Sequence, residues 1–139
     1  MSFISEELLY QKSAEELTAL LYEACEDNLE EAKAAIYAKE FMTANEKLQK
    51  ANDILYRLGS GLSYDAGIIA DQLDSLYNYM ADRIIEANYK KEVTAVEEAL
   101  KVLRPIAESW RQAMAKKEDK QLKPLKHKTN AYEQHVMFD

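Results

Sequence analysis

The stretch Leu76-Tyr77-Asn78-Tyr79-Met80-Ala81-Asp82-Arg83-Ile84-Ile85-Glu86-Ala87-Asn88 decides the fold class of this chain. Its apolar residues recur every three or four positions, which is the period of an amphipathic helix. Tyr79 falls outside the main apolar stripe, so the segment has more apolar surface than one buried face needs. We therefore expect an all-α bundle that keeps apolar grooves open for a partner helix.

Composition supports one all-α domain. The chain has 139 residues with only 3 Gly and 2 Pro, which favours long helices around a single core. No apolar run of about 18 residues and no N-terminal signal pattern occur, so we expect a cytoplasmic protein without membrane insertion. The single cysteine, Cys25, cannot form an internal disulfide, which agrees with a reducing compartment.

The charge is unevenly distributed along the chain. Residues 1–100 carry 9 basic and 20 acidic side chains, a net charge of −11, whereas residues 101–139 carry 9 and 5, a net charge of +4. An acidic body argues against nucleic acid as a ligand, because neutralisation of phosphates supplies most of that affinity. The basic stretch from Arg111 to Lys128 contacts an anionic surface, is a solvated tail, or belongs to a helix end whose dipole it compensates.

Two capping-box spacings predict the starts of the first two helices. Ser13-Ala14-Glu15-Glu16 opens a helix that runs to about Ala38, and Thr43-Ala44-Asn45-Glu46 opens a second one. Gly59-Ser60-Gly61 should end or loosen the second helix, because glycine commonly terminates helices in the left-handed conformation.

The third predicted helix has Asp65 as its N-cap and ends at Asn88 in left-handed geometry. The fourth begins near Glu92, and Pro105 should kink it or break it in two. From about Lys116 onward the helical pattern decays, and we expect a mobile tail.

Each predicted helix has an apolar stripe, and the first has two. The first helix presents one stripe of Leu17, Leu20, Leu21, Ala24 and Ala35, and a second flank of Tyr22, Cys25, Leu29 and Ile36. The stripes of the others are Ala44, Leu48, Ala51, Leu55, Leu58 and Leu62; Ile69, Leu73, Leu76, Tyr77, Met80, Ile84 and Ala87; and Val93, Val96, Leu100, Leu103, Ala107, Trp110 and Met114.

Short connections between such helices predict an antiparallel up-down-up-down four-helix bundle. The expected organisation is an N-terminal segment at 1–12, the bundle at 13–115, and a basic C-terminal extension at 116–139.

Several segments, which follow one another in the order typical of the family, resemble the FliS family of flagellar secretion chaperones over about residues 9–115. The segments are Ser13-Ala14-Glu15-Glu16-Leu17, Leu20-Leu21-Tyr22, Lys50-Ala51-Asn52-Asp53-Ile54-Leu55, Leu76-Tyr77-Asn78-Tyr79-Met80 with Arg83 and Ala87-Asn88, and Val96-Glu97-Glu98 with Trp110. The resemblance implies a cytosolic antiparallel bundle that binds the disordered C-terminal region of flagellin. It also implies that the protein prevents premature polymerisation and assists delivery to the flagellar export apparatus.

The apolar flanks near the end of the second helix and along the third are the candidate client-binding grooves. The candidate client-binding residues are Ile54, Leu58, Leu62, Ile68, Tyr77, Tyr79, Met80 and Arg83. Leu58, Tyr77 and Met80 are equally compatible with the core, whereas Ile68 and Tyr79 lie off the stripe and favour an interface. Arg83 either anchors a client carboxylate or pairs with acidic neighbours on the surface.

The N-terminal segment is amphipathic ahead of the first capping box. Leu8, Leu9 and Tyr10 are candidates for a groove cap that the client displaces, with a hydrophobic staple that fixes the first helix as the alternative. Unfilled grooves also accept the N-terminal segment of a second copy, so a homodimer is an alternative to the monomer.

No catalytic, cofactor-binding or metal-binding residues are predicted. The chain has no glycine-rich phosphate loop, no zinc signature and no Glu-x-x-His motif. His127 and His135 lie in the predicted tail, and Cys25 lies among acidic residues that disfavour a thiolate. We therefore expect a protein that is not an enzyme. The alternative class is a helical adaptor or regulator that binds a folded partner.

Overall fold

The protein consists of four helices joined by short connections. The computed structural model describes the backbone of residues 2–62 and 67–138 and the side chains of residues 14–62 and 67–117. The helices are α1 (Ser2–Tyr37), α2 (Phe41–Ser60), α3 (Ile68–Lys90) and α4 (Val93–Phe138). No strand occurs in this part of the chain, and the predicted all-α bundle is confirmed.

The chain divides into two compact units, Met1–Ala107 and Glu108–Asp139. The first unit contains the bundle. In the second, the Arg111 guanidinium pairs with the Glu108 carboxylate at 3.0 Å along one helix face. The predicted boundary between residues 115 and 116 stays a prediction.

Contacts between α1 and α2 follow an antiparallel register. Lys47 Nζ lies 2.7 Å from Glu31 Oε2, and further along the pair the Cys25 thiol points at the Ala51 carbonyl oxygen at 3.8 Å. Residue numbers thus rise along α2 as they fall along α1. This is the antiparallel arrangement that the short connection between the two helices predicts.

The start of α4 is antiparallel to α1 in the same way. Lys33 Nζ lies 3.7 Å from Glu97 Oε1. Arg104 reaches Glu26 at 3.5 Å and also contacts Glu30. These partly exposed pairs contribute little stability each, because water screens them. They do show that α1 and α4 are neighbours in the bundle.

The core is built from one stripe of each helix. Its side chains are Tyr22, Cys25, Leu29, Ala32, Ala35 and Ile36 from α1; Ala44, Leu48, Ala51, Leu55 and Leu58 from α2; Ala70, Tyr77, Met80, Ile84 and Ala87 from α3; and Ala95, Val96, Ala99, Leu100, Leu103 and Ala107 from α4. Many of these are alanines. Small side chains at helix contacts allow neighbouring helices to approach closely.

The two apolar flanks of α1 differ in burial. The flank with Tyr22, Cys25 and Leu29 faces the core, whereas Leu17 is 57% exposed and Leu20 is 60% exposed. The first stripe named from the sequence is thus the less buried of the two. The buried flank is the one whose polar groups, the Tyr22 hydroxyl and the Cys25 thiol, have hydrogen-bond partners inside the bundle.

Both predicted capping boxes lie inside helices. Ser13 belongs to α1, which begins at Ser2, and Thr43 belongs to α2, which begins at Phe41 after Glu40. Residues 2–12 contain no helix breaker, so α1 continues through the capping-box spacing. At α2 the reversal at Lys39, with φ 58°, fixes the start of the next helix.

The helix ends also differ in detail from the predictions. α2 ends at Ser60 as expected, but Gly61 has a right-handed conformation with φ −85°. α3 continues past Asn88 to Lys90, and Lys91 takes the left-handed position. Asn88 is helical, and its side-chain amide donates a 2.6 Å hydrogen bond to Asn45 Oδ1 on α2. Asp65 lies outside the described residues.

Pro105 does not break the fourth helix. α4 is continuous from Val93 to Phe138, and Pro105 is exposed. The missing N–H removes one backbone hydrogen bond without ending the helix. The alternative of a break into two helices is therefore wrong.

We expect Leu48→Ala to lower the free energy of unfolding by about 3 kcal/mol, because Leu48 is 1% exposed and its removal leaves a cavity. Leu17→Ala on the exposed flank of α1 is the matched control and should cost less than about 1 kcal/mol. Urea unfolding followed by circular dichroism measures both. Equal losses for the two variants would contradict the burial of Leu48 in the core and the exposure of Leu17 on α1.

Candidate functional site

An apolar strip remains exposed on α3. Ile68 is 75% exposed and Tyr79 is 44% exposed, and with Leu76 they line one shallow cavity of about 640 Å³. Their spacing places them on one helix face. We call Ile68, Leu76 and Tyr79 the α3 strip. Apolar residues grouped in this way on a folded surface are typical of a binding site.

Arg83 lies at the end of the α3 strip. Its guanidinium carbon is 5.9 Å from the centre of the Tyr79 ring, within the range of a cation–π contact. Nη1 also lies 3.4 Å from Glu98 Oε2 on α4. Arg83 is thus held by Tyr79 and Glu98 in the free protein, with its Nε buried and without a hydrogen-bond partner among the described residues.

The structure brings only some of the predicted client-binding residues together. Ile68, Tyr79 and Arg83 lie along the same face of α3. Leu58 and Met80 lie in the core, with Met80 fully buried. These two offer no surface to a partner in this conformation, because the stripes that carry them pack against the other helices.

The remaining candidates are distributed elsewhere. Ile54 and Leu62 are half-buried on and just after α2, and neither lines the cavity of the α3 strip. The side chains of the candidate groove cap, Leu8, Leu9 and Tyr10, lie outside the described residues. Their backbone forms part of α1.

A second surface, which the sequence did not indicate, lies between α2 and α3. It consists of two cavities of about 420 and 330 Å³ that both include Asn52. We call them together the α2–α3 groove. Its lining residues are Asn45, Leu48, Gln49, Asn52, Leu55, Tyr56, Gly59 and Ser60 from α2, and Asp74, Tyr77, Asn78, Ala81, Ile84, Ile85, Asn88, Tyr89 and Lys91 from α3 and its C-cap.

The signal for this groove was present in the sequence but lay outside the apolar stripes. Tyr56, Ile85 and Tyr89 occupy otherwise polar faces, and all three are largely exposed in the structure. Scattered single apolar residues on polar faces are common in monomers. Only the packing of α2 against α3 shows that these three flank one groove.

Tyr77 contributes to the floor of the groove from a buried position. Its hydroxyl shares a hydrogen bond with that of Tyr22, which links α1 to α3 across the core. Burial raises the pKa of both phenols, although the hydrogen bond from Tyr77 partly offsets this for Tyr22. Both tyrosines therefore remain neutral at physiological pH and serve as structural groups.

The described residues offer little for catalysis. Among them no cluster of three or more His, Cys, Asp and Glu could hold a metal ion. Burial, with a smaller contribution from Glu26, raises the pKa of the Cys25 thiol to about 12, so the nucleophilic thiolate is disfavoured. Within the same residues, no helix is both long and apolar enough to span a membrane.

The candidate site thus consists of an exposed apolar strip and a groove on the surface of a helical bundle. Surfaces of this kind accept amphipathic helices. The sequence model of the family described as Flagellar protein FliS matches residues 5–117. The chain belongs to the FliS family of flagellar secretion chaperones, and the resemblance noted in the sequence is confirmed.

Two relatives illustrate the similarity. The flagellar secretion chaperone FliS of Vibrio cholerae is 33% identical over 101 residues, which cover 72% of this chain and 74% of the relative. The protein of the same description from Salmonella typhimurium is 31% identical over 113 residues, which cover 80% and 84%.

A solved structure supports the fold. The crystal structure of a flagellar chaperone from bacteria matches with a TM-score of 0.68 at 21% sequence identity. The match covers 73% of this chain and 84% of that chain.

We expect the free energy of unfolding to fall as the pH rises from about 9 to 12. The folded-state pKa of Cys25 is raised above its ordinary value of 9.0. The contribution of this thiol to the free energy of unfolding is therefore complete below pH 9. It is lost as the pH rises further, because the thiol of the unfolded chain ionises first. The pKa values of the Tyr22 and Tyr77 phenols are also raised, so their ionisation in the unfolded chain lowers the free energy of unfolding in the same way at slightly higher pH.

Urea unfolding at several pH values tests this expectation. Cys25→Ala should reduce the slope between pH 9 and 10, whatever its effect on stability at neutral pH. A slope identical to that of the wild type would mean that the thiol does not contribute.

Proposed function

We propose that the protein is a cytoplasmic export chaperone that binds the disordered C-terminal region of flagellin. The client region folds into short amphipathic helices on the bundle, with the α3 strip as a principal contact. The complex keeps flagellin from polymerising early and assists its delivery to the flagellar export apparatus. The observation that carries the proposal is the exposure of Ile68 and Tyr79 on one face of a folded bundle.

The relatives support the same role. Both are flagellar secretion chaperones, and each match covers most of both chains. A protein of this family needs a surface that holds an export substrate reversibly. An apolar strip on a rigid helix meets this requirement, because it can cover the apolar face of a client helix in water.

The energetics favour moderate affinity. Full burial of one large apolar side chain contributes about 1.5–3 kcal/mol, so Ile68, Leu76 and Tyr79 together supply several kcal/mol. Ordering a disordered client costs about 2–5 kcal/mol or more. The α3 strip alone is therefore too small for tight binding, and additional contacts on the bundle are required. Ile54 and Leu62, half-buried at the end of α2, are proposed as such contacts.

Arg83 has a supporting role in this proposal. In the free protein it contacts Tyr79 and Glu98. A client carboxylate near the α3 strip would compete with Glu98 for the same guanidinium. The cation would then orient the client without a change in the position of the arginine.

Isothermal titration with the C-terminal region of flagellin should give a one-to-one complex. Ile68→Asp and Tyr79→Asp are each expected to weaken binding about tenfold or more, because a charge placed in an apolar contact loses its hydration. Met42→Asp is the matched control. Met42 is 89% exposed near the start of α2, so binding should change less than about twofold.

Absence of binding at tens of micromolar would reject the chaperone proposal. Binding of an intact folded protein through Ile68 and Tyr79, without binding of the flagellin region, would favour an adaptor instead. Circular dichroism of each variant verifies that the bundle is intact.

The N-terminal segment at 1–12 is proposed as a competing cap over part of the client surface. If Leu8, Leu9 and Tyr10 cover apolar residues in the free protein, deletion of residues 1–10 should raise the affinity for flagellin. The same titration measures the effect. A loss of affinity would contradict the cap, and unchanged affinity with reduced thermal stability would indicate that the segment only stabilises α1.

A further inference from the structure

The basic stretch at residues 111–128 has no part in the proposed function. It carries seven Lys and Arg residues against two acidic ones, a net charge of +5, whereas residues 1–100 have a net charge of −11. Arg111 and Lys116, near its start, are exposed to water. A charge of opposite sign concentrated in 18 residues suits a different ligand from that of the acidic bundle.

The backbone of the basic stretch is helical throughout, because α4 is continuous from Val93 to Phe138. The stretch belongs to the second compact unit, Glu108–Asp139, which is part of this one helix. Its 18 residues correspond to about 27 Å of helix. A single helix has no core of its own, so an apolar side of such a helix is stabilised only by another surface.

The helical period separates basic from apolar positions in the stretch. Lys116, Lys120 and Lys123 follow one another at spacings of four and three residues, which places them on one side of the helix. The same period places Leu122 and Leu125 on the opposite side. The stretch therefore has the pattern of a basic amphipathic helix, which is typical of helices that lie on membrane surfaces.

An anionic lipid surface matches both sides of this helix. A nucleic acid or an acidic polypeptide would attract the lysines but would leave the leucines without a role. A bilayer with anionic headgroups attracts the basic side and offers the boundary of its acyl chains to the apolar side. The acidic bundle is repelled by the same surface, which confines the attraction to the basic stretch.

We propose that the basic stretch binds the surface of an anionic phospholipid bilayer as an amphipathic helix that lies in the interface without crossing it. This interaction goes beyond the proposed function, because it needs no client. It would hold the chaperone at the surface of a membrane, where an exported client has to be delivered. The attraction is electrostatic in part and should therefore weaken as the salt concentration rises.

Co-sedimentation of the full-length protein with vesicles tests the proposal without flagellin. The vesicles contain phosphatidylglycerol and phosphatidylcholine, or phosphatidylcholine alone. We expect binding to the anionic vesicles only. Joint replacement Lys116→Glu, Lys120→Glu and Lys123→Glu should lower the partition coefficient about a hundredfold, because each lysine near an anionic surface contributes about fivefold.

A charge-matched control separates the basic stretch from the net charge of the protein. Joint replacement Lys39→Glu, Lys50→Glu and Lys101→Glu changes the net charge from −7 to −13, as the first set does, but lies in the first compact unit. Partitioning of this control should fall less than about fivefold, since long-range repulsion is screened by salt. Glutamate and lysine have similar helix propensities, so circular dichroism should show unchanged helix content.

A second pair of variants tests the apolar side. Leu122→Gln with Leu125→Gln should lower the partition coefficient about tenfold, because the two leucines no longer leave water. Leu17→Gln with Leu20→Gln is the matched control. Both of these leucines are exposed on α1, outside the basic stretch, so the change should be less than about twofold.

The remaining outcomes overturn the proposal. Absence of binding, equal binding to vesicles of phosphatidylcholine alone, or equal losses for the two lysine sets each contradict it. Binding that needs the lysines but not the leucines would identify a general polyanion site, and RNA would then compete with the vesicles. If charge reversal lowers the helix content, glutamine replaces glutamate at the same positions under the same criteria. Failure of flagellin binding rejects the proposed function and leaves this test unaffected.

Discussion

The structure depends on the close packing of one narrow stripe from each helix. Ala32, Ala44, Ala51, Ala87 and Ala99 are all fully buried at the centre of the bundle. Small residues bring the helix axes close together, and the larger side chains between them fill the remaining space. A core of this kind has no room for a second stripe. Ile68 and Tyr79, which lie off the predicted stripe of α3, remain on the surface, and so do Ile69 and Leu76, which the periodicity wrongly assigned to that stripe.

This constraint connects the fold to its surfaces. The α3 strip consists of apolar residues that lie outside the core, and the α2–α3 groove is lined by residues of both helices. Both surfaces lie on regular helices that the core holds in place. Under the proposed function, a flexible client would fold against a surface that is already ordered, which lowers the conformational entropy lost by the bundle on binding.

Much of the fold was predictable from helical periodicity. The stripe from Ala44 to Leu58 on α2 is buried as expected, and Ile68 and Tyr79 are exposed as their positions off the stripe indicated. Periodicity could not choose between the two flanks of α1, since both are apolar at the same spacing. That choice depends on the partners of Tyr22 and Cys25 in other helices, which are remote in sequence.

The site was predictable only in part, for the same reason. Leu58 and Met80 carry the same kind of side chain as the exposed candidates, and only the packing of four helices decides that they are buried. Asn52 carries no apolar signal, and its position in both cavities of the α2–α3 groove follows only from the packing of α2 against α3. The capping-box spacings at Ser13 and Thr43 were misleading, because local motifs compete with helices that extend through them.

The most direct test of the central claim is methyl NMR of the isoleucines during titration with the C-terminal region of flagellin. Ile68 is 75% exposed on the α3 strip, whereas Ile36 on α1 is 7% exposed in the core. We expect a large, saturable shift of the Ile68 methyl signals and a small change at Ile36. An Ile68 signal that stays unchanged while flagellin binds elsewhere would contradict the account.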